Sequence, residues 1–114
     1  MALELLNQSK IDRLSSEVGQ ENVATLLNIF LGELDDYINH LSTDASDDIH
    51  EYLKHISHAL KSSAASFGAD ALCGTATAID SKAKTGVVLE QSVDGQELLV
   101  VLQTTYRRYQ ELSA

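Results

Sequence analysis

The sequence contains no proline and no tryptophan, only six glycines in 114 residues, and a single cysteine. Proline and glycine supply many of the turns of loop-rich β-proteins, so their scarcity argues against an all-β fold and favours long, uninterrupted helices. One cysteine cannot form an internal disulfide, so the fold does not depend on an oxidising compartment. These absences predict a helical protein of the cytoplasm.

Basic residues are also scarce: eight Lys and Arg face seventeen Asp and Glu, for a formal net charge of −9. Binding to nucleic acid or to an anionic membrane surface favours the opposite sign. No apolar run approaches the roughly 18 residues that span a bilayer, and the amino-terminal segment lacks a signal-peptide pattern. We therefore expect neither nucleic acid nor a membrane as a partner.

Apolar residues recur at helical spacing along nearly the whole chain, and 44% of the residues are hydrophobic. This content suits one domain over residues 1–114, with a core large enough to fold as a monomer. The spacing predicts helices over 9–18, 22–41, 46–67, 70–85 and 94–112. Short connections between the four longer helices predict an all-α fold, an antiparallel up-down four-helix bundle with a short extra N-terminal helix.

Three local signals mark the predicted helix ends. Ser46 is expected to be the N-cap of the third helix, with Asp48 in its first turn, where negative charge suits the helix dipole. Gly68 can take the left-handed conformation that ends a helix. Asp94 and Glu97 have the spacing of a capping box at the start of the last helix.

Histidines provide the main chemical candidates, and three of the four, His50, His55 and His58, lie on the third predicted helix. At about 100° per residue, His58 lies roughly 160° from both Ile56 and Leu60, which belong to the core stripe. Its imidazole must therefore point away from the core.

Lysines and small residues surround His58 on that outer face. Lys54 precedes it by four residues, Lys61 follows by three, and Ser62 and Ala65 follow by four and seven. Residues 51–84 hold four lysines against three acidic residues, whereas the rest of the chain is strongly acidic. Half of the positive charge of the protein is thus concentrated around one exposed imidazole.

This arrangement suits the transfer of a phosphoryl group. A neutral imidazole offers one nitrogen lone pair as a nucleophile, and Lys61 can neutralise charge on the phosphoryl oxygens. Phosphoryl transfer depends mainly on positioning and electrostatics, so little else is required of the chain. Most surface histidines beside lysines are only solvated side chains, so the chemistry alone does not decide the function.

The twelve residues from His58 to Ala69, HALKSSAASFGA, resemble the signature of histidine phosphotransfer (Hpt) domains. The segment AIDSKAKTG at 78–86 is similar to the following helix of that family. The resemblance implies that His58 is phosphorylated and that Lys61 assists at the phosphoryl group. Ser62 departs from the frequent family glycine, and Asp80 stands where the family often has glutamate.

The resemblance also implies the partners. His58 would accept phosphate from an aspartate of a receiver domain of a hybrid sensor kinase and pass it to a downstream response regulator. The freestanding format is similar to members that serve quorum-sensing phosphorelays. Such a phosphocarrier has no kinase activity of its own and no cofactor, because the Mg²⁺ used in transfer belongs to the receiver.

The surface on which a receiver would dock is expected to surround His58. Lys54, His55, Ser62 and Ala65 lie on the same helix as that histidine. If the chain turns back at Gly68, Lys82 would fall near the level of Lys54 and extend the basic rim.

Two other functions fit part of the pattern. Glu51, His55 and His58 share a helical face at spacings of four and three, as metal ligands can, although Lys54 and Lys61 would repel a cation. Alternatively, the chain could be a non-catalytic helical adaptor that binds a partner through its Ser/Ala face. Replacement of His58 with glutamine distinguishes an adaptor from a phosphocarrier.

Overall fold

The structure is a computed structural model that describes residues 3–43 and 48–113. Five α-helices and one π-helical turn, Gln91–Gly95, account for most of these residues, and no strand occurs among them. The predicted all-α fold is therefore confirmed. The helices are α1 (Gln8–Val18), α2 (Gln20–Ser42), α3 (Ile49–Phe67), α4 (Asp70–Lys84) and α5 (Gln96–Ser113).

The most extensive helix packing joins α3 to α4 and α2 to α5. In the first pair, Cys73 on α4 contacts the carbonyl of Lys61, and Asp80, two turns later, lies beside His58, one turn earlier on α3. Contacts that move forward on one helix and backward on the other show that α3 and α4 are antiparallel. The short α1 packs against α2 and α3. The up-down order of the complete bundle stays a prediction.

An aromatic cluster joins α2, α3 and α5. The ring of Phe30 stacks on Phe67 with the centroids 4.5 Å apart and meets Tyr109 edge-on at 5.2 Å. The buried hydroxyl of Tyr109 donates a hydrogen bond of 2.6 Å to the carbonyl of Phe67, which is one of the carbonyls that the end of α3 leaves free. Burial raises the pKa of Tyr109. The cluster fixes the C-terminal end of α3 against the core.

Gly68 forms the turn between α3 and α4, as predicted. Its φ of 77° is left-handed. This conformation lets the Ala69 N–H donate a hydrogen bond to the Ala64 carbonyl, which closes the end of α3. A Cβ at this position would lie 2.7 Å from the carbonyl oxygen of Asn7, whose own N–H donates to the Gly68 carbonyl. Only glycine allows this approach, which ties the segment before α1 to the hairpin that carries the candidate site.

The start of α3 differs from the prediction. Ser46 lies outside the described residues, and Asp48, expected within the first turn, is the N-cap residue. The Asp48 carboxylate accepts a 3.2 Å hydrogen bond from the Glu51 N–H. An aspartate caps as well as a serine does, so residue preference alone could not decide between the neighbouring candidates.

The capping box predicted at the start of α5 was wrong. Asp94 lies inside the π-helical turn rather than before the helix, and it is only 3% exposed. Its carboxylate accepts hydrogen bonds from the Glu90 N–H at 3.0 Å and from the Lys82 ammonium at 2.6 Å. The helical path thus begins one turn earlier than the pattern indicates. The Asp94 carboxylate binds the N–H of Glu90, before the turn, and not that of Glu97.

Candidate functional site

His58 lies on the outer face of α3, as the periodicity predicts. Its side chain is 70% exposed, whereas Ile56 and Leu60 on either side are fully buried. The buried side chains anchor this stretch of helix in the core. The imidazole is therefore presented to solvent from a backbone whose position is well defined.

A buried carboxylate from α4 lies beneath the imidazole. The side chain of Asp80 is 3% exposed, and its Oδ2 accepts hydrogen bonds from Lys61 Nζ at 2.8 Å and from Lys84 Nζ at 2.9 Å. These two hydrogen bonds lower the pKa of Asp80 to about 2, despite burial, which acts to raise it. The hydrogen bond to Asp80 in turn raises the pKa of Lys61. The Asp80 carboxylate and the Lys61 ammonium are therefore both charged at neutral pH.

The two ring nitrogens of His58 have different surroundings. Nδ1 lies 3.7 Å from Asp80 Oδ1, too far for a hydrogen bond but close enough for an electrostatic preference for a proton on that nitrogen. Nε2 is separated from Nδ1 by the Cε1 carbon of the ring. Of the two tautomers of a neutral imidazole, this arrangement favours the one with its proton on Nδ1 and its lone pair on Nε2.

The imidazole borders a shallow pocket of about 270 Å³ between α3 and α4. Two ammonium groups, two imidazoles and two carboxylates line it, and it has room for a small group such as a phosphoryl group. Its lining residues are Glu51, Lys54, His55, His58, Asp80 and Lys84.

The small residues after His58 divide between two faces of α3. Ser62 and Ala65 are exposed, as expected for a contact surface, and Ala65 also borders a second pocket of about 310 Å³ against α1. Ser63 instead turns inward and donates a 3.3 Å hydrogen bond to Glu33 on α2, while Ala64 is fully buried. The exposed small residues leave the approach to the imidazole open.

Lys82 and Lys84 have different surroundings. Its ammonium binds Asp94 and is not among the groups that line the pocket of His58, whereas Lys84 is. Two residues along an α-helix correspond to a rise of about 3 Å but to a rotation of about 200°, so the two lysines point to different sides of α4. Lys82 therefore does not border the pocket of His58, and its contact with a partner stays a prediction.

Comparison with known families identifies the chain. The sequence profile of the Hpt domain matches residues 25–111, which include α3, α4 and most of α2 and α5. The chain belongs to the Hpt family.

Curated relatives match almost the full length of this Hpt chain. The phosphorelay protein LuxU of Vibrio cholerae serotype O1 is 53% identical over 109 residues, which cover 96% of each chain. The protein of the same name from Vibrio harveyi is 52% identical over 109 residues, with the same coverage. That from Vibrio vulnificus is 50% identical over 107 residues, which cover 94% of this chain and 93% of the relative. No solved structure matches the chain.

Sequence reasoning predicted the exposure of His58 but not the whole charged cluster around it. Asp80 was noticed without a role, and Lys84 was not singled out. A signal existed, because Asp80 and Lys84 have the i, i+4 spacing at which side chains on a helix meet. What the spacing could not reveal is that both residues face Lys61 across the α3–α4 contact.

Two of the other three histidines have structural contacts. His50 Nδ1 accepts a 3.0 Å hydrogen bond from the Leu89 N–H, and the ring of His40 stacks on Tyr52 at 3.8 Å. Among residues 3–43 and 48–113, no group of three His, Cys, Asp or Glu side chains is placed to bind a metal ion. In the same part of the chain, no helix is long and apolar enough to cross a membrane.

Proposed function

We propose that this Hpt protein is a phosphocarrier that accepts a phosphoryl group on His58 and passes it on within a bacterial multi-step phosphorelay. The observation that supports the proposal is the exposed imidazole beside two ammoniums, on the helix that carries the Hpt motif. The near-complete coverage of relatives named phosphorelay protein LuxU points to the same role and favours a relay of the quorum-sensing class.

The donor and the acceptor are aspartates of receiver domains, one in a hybrid sensor kinase and one in a response regulator. The Nε2 lone pair of His58 attacks phosphorus of the aspartyl phosphate, the N–P bond forms, and the aspartate leaves with the electron pair of the P–O bond. The reverse step, with a second aspartate as the nucleophile, releases the group. Lys61 stabilises the negative charge on the phosphoryl oxygens in both directions.

The receiver docks around the imidazole. Ser62 and Ala65 provide the small surface over which the partner approaches, while Lys54 and His55 contact it at the rim of the pocket. Their exposure supports this assignment. Lys82, whose ammonium binds Asp94, would contact the receiver farther from the imidazole.

The remaining attributes of the proposal concern the reaction and its location. The protein has no kinase activity of its own and acts as a monomer in the cytoplasm. Its transfers use the Mg²⁺ that the receiver binds, and this chain requires no metal or other cofactor. Incubation with labelled ATP and Mg²⁺ alone should therefore leave the protein unlabelled.

The decisive experiment is incubation with a phosphorylated receiver domain and Mg²⁺. Wild-type protein should acquire label that is labile in acid and stable in base, and His58→Gln should acquire none. The matched control is His40→Gln, which removes an exposed histidine from α2 and should be labelled as the wild type is. If several receivers leave the wild type unlabelled while it still binds one of them, the chain is an adaptor that uses its Ser/Ala face without chemistry.

A further inference from the structure

The two ammoniums beside His58 are already bound to another anion. Lys61 and Lys84 approach from different helices and donate to the same oxygen, Oδ2 of Asp80, at 2.8 and 2.9 Å. The carboxylate is nearly inaccessible, whereas the Lys61 and Lys84 side chains are 31% and 60% exposed. The cations can therefore turn toward solvent, but the anion cannot follow them.

A phosphoryl group on Nε2 would require the same cations. It brings up to two negative charges and three acceptor oxygens to the mouth of the pocket that Lys84 and Asp80 line. A lysine ammonium is a compact charge on a flexible stem, so it can change partners without any movement of the helices. The carboxylate of Asp80 also repels the phosphoryl group, because both are negative.

We propose that Asp80 competes with the phosphoryl group on His58 for the ammoniums of Lys61 and Lys84, and so limits how strongly the protein retains phosphate. This inference rests on the proposed phosphocarrier function. Asp80 exchanges only hydrogen bonds: the N–P bond of phosphohistidine breaks when a receiver aspartate attacks, and the lysines then return to Asp80. The restored hydrogen bonds favour onward transfer, which is what a relay intermediate needs.

The equilibrium distribution of phosphate between a receiver and this protein tests the proposal. Docking contacts serve both directions of transfer, so they alter the rates but not the equilibrium between the free proteins. Asp80→Asn keeps the shape and one acceptor oxygen but removes the charge. With one receiver and Mg²⁺, we expect the equilibrium ratio of label on His58 to label on the receiver to rise about three- to tenfold over that of the wild type.

The turn before α5 provides a matched control. Asp94→Asn also removes a buried carboxylate that binds a lysine of α4, but Asp94 does not line the pocket of His58. This variant should leave the equilibrium ratio unchanged. Lys84→Gln should lower the ratio, because the phosphoryl group loses one of its cations.

The results separate the inference from the function beneath it. A wild type that takes no label from any receiver overturns the phosphocarrier function itself. A labelled wild type with an Asp80→Asn ratio that is equal or lower overturns the competition alone and makes Asp80 a residue that positions the lysines.

A second measurement avoids variants, in case Asp80→Asn does not fold. The wild type is phosphorylated with phosphoramidate, a small chemical donor, and the NMR shifts of the Asp80 carboxyl carbon and the lysine Nζ atoms are compared before and after. Competition predicts that the resonances of Asp80, Lys61 and Lys84 move together. An Asp80 resonance that stays in place while His58 is phosphorylated would contradict it.

Discussion

Asp80 and Asp94 are both buried aspartates that bind lysines of α4, yet their surroundings differ. Asp94 accepts one bond from Lys82 and one from the Glu90 backbone, so it fastens α4 to the turn before α5. Asp80 accepts two bonds from lysines that reach solvent and lies 3.7 Å from the imidazole of His58. Residue types and burial are alike at the two places, but one pairing connects elements of the fold and the other borders an open pocket.

The two sites differ in whether the groups that bind the carboxylate can exchange it for another anion. The Glu90 N–H belongs to the backbone directly before the π-helical turn, so its bond to Asp94 persists as long as the turn does. A lysine ammonium at the surface can exchange one anion for another at little conformational cost. We infer that excess cations on a buried carboxylate, beside an exposed nucleophile, indicate a site for a second anion.

The largest expected effect is the difference in phosphoryl-transfer rate between Lys61→Gln and Lys82→Gln, which compares the two aspartate sites directly. Loss of Lys61 removes a cation that stabilises the negative charge on the phosphoryl oxygens. This should slow transfer from a receiver about ten- to a hundredfold. Lys82→Gln removes an equal charge from the Asp94 side and should change the rate less than about twofold. Both rates can be measured by quenching the transfer reaction at a series of times and counting the label on each protein. An equal loss of transfer rate in the two variants would mean that the net charge of the protein matters, and not the position of Lys61.

Asp94→Asn should reduce stability without affecting transfer. The replacement weakens the hydrogen bonds from Lys82 and the Glu90 N–H to a buried group, which should lower the free energy of unfolding by about 1–3 kcal/mol. Urea denaturation provides the measurement, and the labelling of His58 in the folded protein provides the control. A stable Asp94→Asn variant with impaired transfer would reverse the roles given to the two aspartates.

The acid stability of the protein should depend on Asp80. Its pKa is lowered from the ordinary value of 3.8 to about 2 in the folded state, so its stabilisation is complete above about pH 4 and is lost as the pH falls toward 2. Because its lysine partners are partly solvated, we expect about 1–2 kcal/mol. Unfolding free energies at pH 5 and pH 2.5 should therefore differ less in Asp80→Asn than in the wild type. An unchanged difference would mean that Asp80 titrates normally.

The smallest effect is expected for the docking surface. Ala65→Gln places a longer side chain on the exposed face of α3 and should weaken receiver binding about threefold, without changing the equilibrium distribution of phosphate. Ala24→Gln, on the exposed face of α2, is the size-matched control and should have no effect. Titration with a receiver by calorimetry measures both. If Ala24→Gln weakens binding more than Ala65→Gln does, the receiver docks elsewhere.

Local spacing was sufficient for the fold class and for the direction in which His58 points. The core stripe of α3 determines which way His58 points, and a glycine directly after Phe67 determines where the helix ends. Both conclusions depend on residues within two turns of each other. That is the range over which helical periodicity carries information.

Contacts between helices could not be predicted in the same way. Whether Lys82 or Lys84 meets the site depends on how α4 is rotated against α3, and a rotation error of one residue is about 100°. The Asp94–Glu97 pattern failed for a related reason: it describes a helix start, but the helical path already begins at Gln91. Sequence spacing indicates which side chains share a face, and packing decides what that face meets.

The most direct test of the account is to determine which atom carries the phosphoryl group. After phosphorylation of ¹⁵N-histidine-labelled protein, NMR correlation of phosphorus with nitrogen identifies both the residue and the ring position. Because Asp80 faces Nδ1 of His58, the account predicts a single phosphohistidine at His58 with the group on Nε2. Phosphate on Nδ1 of His58, or on another histidine, would contradict it.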